Sequence, residues 1–449
     1  MPALPSNPTS TGSLIAYSGP AIPLRILLMQ LVVYVPPFYA AEIGLEIAAI
    51  GVVFFLARGW DALIDPLVGN LSDRTRSRWG RRKPWMAIGT PLLVVALWAF
   101  CQPPEDIGLS YLAVTAFLFY VAMTAVDIPY MSWGPELSRD YAKRTTIIGF
   151  REAGGMFGTV LATALPLFFL AGSNPSLREI LQVFVIAISI LLPLTVAVAL
   201  WRTPQGQFID SGRVTLRRAL AGVRSNKPFL RLACGVFAFW LAGGVFNALV
   251  LFMVEHTLQL PNSSFLWFVF AQYTASIVML PLAVGLGNRI GKHRALTVGA
   301  LAFMGLAPLF LVIQPGNFTQ ALLVFTAMGA VTSFIWVMPP ALVADAVEYG
   351  MMSGGADDPA IYMAVYYFMQ KMAMAAGVGL ALPLAGALGF DPTIVNSTEG
   401  LLGLNVVCLI LPLLLALPGA ALMFHYPIDE RRHLVIRRWL ARRTDSTML

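Results

Sequence analysis

The sequence predicts an all-α membrane protein whose chain crosses the bilayer roughly twelve times. Its composition, its long apolar runs and the placement of its basic residues all lead to this prediction. Of the 449 residues, 58% are hydrophobic and 12% are charged, and the mean hydropathy is +0.74. Soluble domains carry about 25% charged residues, so the composition excludes an ordinary soluble protein.

The apolar runs between charged, proline or glycine breaks define the predicted helices. A helix needs about 20 apolar residues to cross a bilayer, and roughly twelve runs meet that length. The predicted spans are 21–45, 48–71, 84–102, 108–134, 147–172, 178–201, 229–254, 264–287, 294–314, 318–344, 361–387 and 399–426.

Basic residues collect in every second connection between these spans. The connections on the opposite side carry a single base, Arg178. Because Lys and Arg concentrate on the cytoplasmic side of membrane proteins, we expect a multi-pass protein of the cell inner membrane with both termini in the cytoplasm. The net charge of +7 follows from this topology, and we expect a bilayer as partner and no nucleic acid.

The longest connection divides the spans six and six. We expect an N-terminal bundle over 1–205, a cytoplasmic loop over 206–228 with a short amphipathic helix at 214–224, and a C-terminal bundle with a tail over 229–449. The second and eighth spans end on similar sequences, Gly69-Asn70 and Gly287-Asn288, each followed by basic residues. Such a weak internal repeat is typical of duplicated transporters.

Prolines and glycines lie inside several spans. Pro36-Pro37 should kink the first span or end its regular part. Gly154 and Gly158 form a GxxxG motif in the fifth span, which predicts close helix packing, bending during transport, or both. The sequence contains no nucleophile–base pair, no metal-ligand cluster and no appended soluble domain, so we expect neither an enzyme nor a cofactor.

Two aspartates in the second span, Asp61 and Asp65, are the most informative feature of the chain. Their four-residue spacing places them on one helix face. A charged side chain at the centre of a spanning helix costs about 2.5 to 3.5 kcal/mol on insertion scales, and such residues are usually functional. Two acids in a low-dielectric site need a cation or a proton between them. Asp127 is a further mid-span acid, with Thr124 one turn earlier on the same face.

Five other charged residues lie within predicted spans. Arg25 and Arg58 lie in the first and second spans, and Arg151-Glu152 lies near the cytoplasmic end of the fifth, where an interfacial ion pair would also explain it. Lys371 is the single base inside the second half. We expect it to pair with a carboxylate in the first half and so to couple the two halves electrostatically.

The charged motifs resemble those of the glycoside–pentoside–hexuronide:cation symporter family, to which the melibiose permeases belong and to which lysolipid transporters are related. The resemblance extends over essentially the whole chain. It implies a major facilitator fold of twelve transmembrane helices in two pseudo-symmetric six-helix bundles, and cotransport of a solute with sodium or a proton. The matching segments are 58–69, 75–85, Asp127-Ile-Pro129, Phe150-Arg151, Trp336, Val343–Gly350, Lys371 and Tyr426–Arg431.

The resemblance also implies roles for individual residues. Asp61, Asp65 and Thr124 match the cation-coupling site, and they would be metal ligands only if sodium is the coupling ion. Solute-binding positions are expected at Arg25, Asp127, Met131, Arg151, Trp336 and Lys371, with Lys371 approaching the carboxylates. Asp345 and Glu348 match acids at the cytoplasmic end of the tenth span, and we expect them to form a gate with basic loop residues such as Arg139 or Arg144.

Three departures from the family pattern bear on the coupling ion and the solute. Ile64 replaces an asparagine that helps to hold sodium, which favours a proton because isoleucine supplies no oxygen ligand. Arg25 aligns with an aspartate of sugar-recognising members, and it donates rather than accepts hydrogen bonds, so it favours an anionic solute unless it simply pairs with Asp127. Met131 replaces a tryptophan that stacks on the sugar, and Trp133 faces another side of the helix.

We therefore predict a cation-coupled symporter, driven by protons rather than sodium, for a glycoside-like or related small organic solute, which is anionic if Arg25 faces the cavity. The alternative is transport of a lysolipid-like amphipathic anion, with Arg25 meeting the headgroup. A non-transporting membrane sensor is a remote third reading. We expect the protein to be a monomer.

Overall fold

The computed structural model describes residues 10–138, 141–170, 174–205, 223–352 and 359–428, and all regular structure within them is helical. The chain forms two compact units, Met1–Asp210 and Ser211–Leu449. The first contains α1 (Thr11–Ser18), α2 (Ala21–Val33), α3 (Val35–Pro37), α4 (Ile47–Arg74), α5 (Lys83–Cys101), α6 (Leu109–Glu136), α7 (Tyr141–Phe169) and α8 (Leu177–Arg202). The second contains α9 (Lys227–Phe252), α10 (Asn262–Ile290), α11 (Lys292–Leu306), α12 (Phe318–Met352), α13 (Pro359–Ala387), α14 (Thr398–Asn405) and α15 (Leu411–Phe424).

The helices agree with the predicted all-α membrane fold. Within the described residues, eleven helical segments are long and apolar enough to cross a membrane. The first predicted span is the remaining one, and it is built from the shorter helices α1, α2 and α3, so twelve spans are consistent with the structure. The amphipathic helix expected at 214–224 falls largely on 206–222, outside the described residues.

The first span differs from its prediction at both ends. Its helical structure begins at Thr11 rather than near residue 21, because the Ser10 side chain accepts a hydrogen bond from the Ser13 amide and caps the helix. At the other end α2 stops at Val33, and Pro36 and Pro37 lie in the single turn α3. A π-helical turn follows over Phe38–Glu42, so the proline pair ends the regular helix as predicted.

The GxxxG motif brings α7 into backbone contact with the first span. A Cβ atom on Gly154 would lie 2.6 Å from the Ser18 carbonyl oxygen, and one on Gly158 would lie 2.9 Å from the Ile22 Cα. Both approaches are shorter than a side chain tolerates, so the motif serves close packing, as one of its two interpretations predicted.

This contact makes Gly158→Ala destabilising. The added methyl meets backbone that cannot move aside, and overpacking of this kind costs about 1 to 3 kcal/mol. Gly149→Ala on the same helix is the matched control, because nothing lies within 4 Å of its Cβ position. Thermal unfolding in detergent should show a lower Tm for Gly158→Ala and an equal or higher one for Gly149→Ala; equal Tm values for the two variants would contradict the packing role.

The second unit is held together in a similar way. Gly244 of α9 and Gly377 of α13 face each other, and a Cβ on either would lie 2.6 Å from a backbone oxygen of the opposite helix. Helix α9 is the most buried of the long helices in this unit. Its last turn widens to a π-helix over Met253–Thr257, and the helix that begins at Thr398 contains another over Val406–Ile410.

Candidate functional site

The two aspartates of the second span lie on the inner face of α4. Asp61 is 1% exposed and Asp65 is half-buried, one turn further along. Ile64, the residue that departs from the family pattern, is also buried and places an aliphatic side chain beside them. The helix thus holds both acids in the interior of the first unit, as the four-residue spacing predicted.

A single hydroxyl group on α6 joins the two carboxylates. Thr124 Oγ1 lies 2.9 Å from Asp61 Oδ1 and 3.1 Å from Asp65 Oδ1, and its side chain is buried. A threonine hydroxyl carries one proton and therefore donates to one acceptor at a time. If both carboxylates were ionised, one of the two short contacts would bring together oxygens with no hydrogen between them. The arrangement therefore suits a proton or a cation at one of the two carboxylates.

A positive charge flanks Asp61. Arg58 Nη1 lies 3.4 Å from Asp61 Oδ2, and its guanidinium carbon lies 4.9 Å from the centre of the Tyr120 ring. The Arg58 side chain is 13% exposed. The sequence marked Arg58 as an unusual charge but gave it no role, although its three-residue spacing from Asp61 places both on one helix face. We call Arg58, Asp61, Asp65 and Thr124 the carboxylate cluster.

Helix α6 continues from this cluster to two other predicted positions. Asp127, one turn after Thr124, is half-buried, and Met131 one turn later is 41% exposed. Trp133 is buried: its ring packs edge-on against Tyr17 with centroids 5.9 Å apart, and its Nε1 donates to the Pro204 carbonyl 3.2 Å away. Trp133 therefore cannot take over the place of the missing tryptophan, as its position in the sequence indicated.

Arg25 and Arg151 converge on Glu152, a residue that the sequence did not assign to the site. Arg25 Nη2 lies 3.3 Å from Glu152 Oε2, and Arg151 Nη2 lies 2.8 Å from Glu152 Oε1. The expected pair of neighbours Arg151 and Glu152 is present, and Arg25 has joined it from α2. We call these three residues the arginine–glutamate cluster. The ion pair that the structure shows for Arg25 is to Glu152, and the alternative pairing with Asp127 stays a prediction.

A second buried charge network lies where the basic loop joins α4 to α5. Arg82 is 7% exposed; it donates to Ser72 Oγ at 2.6 Å and to Glu136 Oε1 at 2.7 Å, and it also pairs with Asp73. Arg81 reaches the same Glu136 oxygen at 3.3 Å. Sequence reasoning used Arg81 and Arg82 as loop charges and as part of the matching segment 75–85, and it missed Glu136, the last residue of α6.

The second unit has an ion pair at the corresponding place. Lys292 Nζ lies 2.7 Å from both carboxylate oxygens of Asp345. Lys292 was not a predicted partner of Asp345. The predicted ones, Arg139 and the side chain of Arg144, lie outside what the structure describes, so a gate that includes them and Glu348 stays a prediction.

The other predicted residues of the second unit lie on two of its helices. Trp336 on α12 is 42% exposed and meets Trp240 edge-on, with ring centroids 5.2 Å apart. Lys371 is half-buried on α13. Their roles in solute binding and in sensing the coupling ion stay predictions.

Comparison with known proteins gives a consistent picture. Residues 16–430 match the family of MFS/sugar transport proteins. Similar relatives include an uncharacterized symporter of Synechocystis sp., 25% identical over 95% of both chains, and the glucuronide carrier protein homolog of Escherichia coli, 23% identical over 88% of both. The sodium-dependent lysophosphatidylcholine symporter 1 of Xenopus tropicalis is 23% identical over 91% of this chain and 83% of its own.

The fold is also similar to solved transporter structures. A bacterial homologue of the lysosomal transporter Spinster, in an inward-facing unoccupied conformation, matches with a TM-score of 0.65 at 13% identity. It covers 96% of this chain and 98% of its own. This likeness supports the major facilitator architecture that the sequence predicted.

Proposed function

Because the chain belongs to the MFS/sugar transport family, a family of secondary active symporters, we propose that it carries a small anionic glycoside-like solute together with a proton. A multi-pass protein of the inner membrane that moves a small solute with a coupling ion agrees with its relatives and with its helices. The observation that carries the proton assignment is the hydroxyl of Thr124 between two carboxylates, one of which faces Arg58.

The proposed resting place of the proton is Asp65. Arg58 stabilises the ionised form of Asp61, so the added proton goes to the other carboxylate. Protonated Asp65 donates to Thr124 Oγ1, and the Thr124 hydroxyl donates to Asp61. Each of the two short contacts is then a hydrogen bond with its own proton. Loss of the proton from Asp65 leaves a second negative charge beside Asp61 and breaks this chain of hydrogen bonds.

Sodium fits this cluster less well than a proton. Sodium binds several hard oxygen ligands, and the residue between the two acids contributes a buried aliphatic side chain instead. Arg58 also places a positive charge next to one of the carboxylates, which opposes a second cation there. One similar protein is named a sodium-dependent symporter, so sodium is the competing coupling ion.

The solute class is inferred from the arginine–glutamate cluster and from Met131. Two arginines and one glutamate leave a net positive charge, which suits a solute with an acid group. Asp127 can accept hydrogen bonds from hydroxyl groups, and the flexible Met131 offers an apolar surface without a stacking ring. The glucuronide carrier protein homolog is one similar protein whose name refers to an acidic sugar.

Uptake by reconstituted protein tests the coupling ion. Proteoliposomes loaded with buffer should accumulate methyl β-D-glucuronide under an inward proton gradient at constant sodium, and an inward sodium gradient at constant pH should add little. A protonophore should abolish the accumulation. Strict dependence on sodium, with no response to the proton gradient, would contradict the proposal.

A second candidate solute is an amphipathic lysolipid-like anion. The similarity to a lysophosphatidylcholine symporter and the exposed apolar Met131 favour it. Competition decides between the two: a lysolipid that blocks glucuronide uptake below its micelle-forming concentration supports the second candidate, whereas inhibition by acidic glycosides alone supports the first.

The remaining assignments are part of the same proposal. Lys371 senses occupancy of the carboxylate cluster, Trp336 contacts the solute, and Asp345, Glu348, Arg139 and Arg144 close the cytoplasmic side. The protein works as a monomer with both termini in the cytoplasm. Its two bundles, 1–205 and 229–449, are joined by the loop 206–228.

A further inference from the structure

The arginine–glutamate cluster is unbalanced in charge and in hydrogen bonding. Two guanidinium groups share the one carboxylate of Glu152. Arg151 binds it with two donors, Nη2 at 2.8 Å and Nε at 3.3 Å, whereas Arg25 binds it with Nη2 alone at 3.3 Å. A guanidinium has five N–H donors, so Arg25 uses a small part of its capacity.

The two arginines also differ in their surroundings. The Arg151 side chain is 13% exposed, while Arg25 is 31% and Glu152 is 43% exposed. Arg25 lies flat on α7 at Gly155, where a Cβ atom would be 3.2 Å from its Nε and Nη2. Gly155 therefore leaves room for the guanidinium, and about a third of the Arg25 side chain is exposed.

We infer that Glu152 occupies the binding position on Arg25 until the acid group of the solute displaces it. When no solute is bound, Glu152 bridges both arginines; when the solute binds, its acid group takes Arg25 and Glu152 stays with Arg151. This inference rests on the proposed function, since it requires an anionic solute. It adds how the acid group of the solute replaces Glu152 on Arg25.

The asymmetry of the bonds determines which one breaks. The Arg25 contact is single, long and exposed, and ion pairs of that kind contribute little to stability. The Arg151 contact is shorter, uses two donors and joins neighbouring residues on α7. An incoming carboxylate can bind Arg25 through two parallel hydrogen bonds, which is more than Glu152 supplies.

Charge balance narrows the class of solute. The three side chains carry a net charge of one positive unit, because two arginines face one glutamate. A carboxylate or sulfonate with a single negative charge neutralises the cluster, and a phosphate monoester with two charges leaves one uncompensated. Taken by themselves, the three side chains therefore favour a monoanionic acid group over a dianionic one.

Glu152→Gln tests the exchange. The amide competes weakly for Arg25, so the KM for methyl β-D-glucuronide should fall by about two- to fivefold, the factor that corresponds to an exposed ion pair. The KM for neutral methyl β-D-glucoside and the maximal rate should change little, and glucose 6-phosphate should remain a poor competitor. Glu105→Gln in an exposed loop is the matched control. An unchanged or raised KM for the glucuronide would overturn the inference while leaving the proposed function in place.

A second measurement does not depend on the choice of solute. If the Arg25–Glu152 contact held the first unit together, Arg25→Gln would lower the Tm by several degrees; an exchangeable contact predicts a Tm close to that of the wild type. A large loss of stability would overturn the exchange. If the wild-type protein neither transports methyl β-D-glucuronide nor is stabilised by it, the anionic solute of the proposed function is wrong, and the inference falls with it.

Discussion

Asp65→Asn should abolish proton-driven accumulation of methyl β-D-glucuronide while solute exchange across the membrane continues. The amide has nearly the shape of the protonated acid, so the contact with Thr124 survives, but it cannot release a proton during the cycle. Uptake should then stop at equal concentrations inside and outside, and counterflow of labelled solute should persist. Both are measured in the same proteoliposomes.

The matched control is Asp106→Asn, because Asp106 lies in an exposed loop and has a positive φ of 58° that asparagine also adopts readily. It should accumulate solute as the wild type does. Asp61→Asn is a different experiment: it should also abolish accumulation, but it removes the carboxylate that faces Arg58 and so costs stability as well. Wild-type accumulation by Asp65→Asn would remove Asp65 from the coupling site.

Arg82→Met should cause a large loss of stability in the first unit. Arg82 is the centre of a buried network with Ser72, Asp73 and Glu136, and its removal leaves the largely buried Glu136 with only the more distant Arg81. Removal of one partner from a buried ion pair costs about 3 to 5 kcal/mol. Thermal or denaturant unfolding in detergent should therefore show a marked loss.

Two further variants test whether the loss of stability comes from the ion pair between Arg82 and Glu136. Arg81→Met should cost much less, because Arg81 is 22% exposed and its contact with Glu136 is longer, at 3.3 Å. The double change Arg82→Met with Glu136→Gln should cost less than the sum of the two single changes, since it removes both members of one pair. Additive losses would argue that the two side chains do not interact.

Local spacing explains most of what could be predicted for the site. Asp61 and Asp65 lie one turn apart on one helix, and Thr124 and Asp127 on another, so their faces follow from helical periodicity. The contact between the two helices came from the family resemblance. Arg58 could have been added by the same reasoning, because it lies three residues before Asp61.

Other contacts depend on tertiary packing that no local pattern reveals. Glu152 meets Arg25 because Gly154 and Gly158 let α7 approach the backbone of the first span. Glu136 meets Arg82 across 54 positions of the chain. The early start of the first span is different in kind: Ser10 caps it locally, and a search for capping serines would have found it.

The order of residues along α6 determines which substitutions alter the solute specificity of such a carrier. Thr124, Asp127 and Met131 follow one another at successive turns, so about 10 Å of helix separates the hydroxyl at the carboxylates from the thioether at the surface. Thr124 is buried and Met131 is exposed. A substitution at residue 131 can therefore change which solute the protein accepts while leaving the carboxylate cluster intact. Carriers with the same coupling residues can thus differ in solute through single changes at the far end of α6.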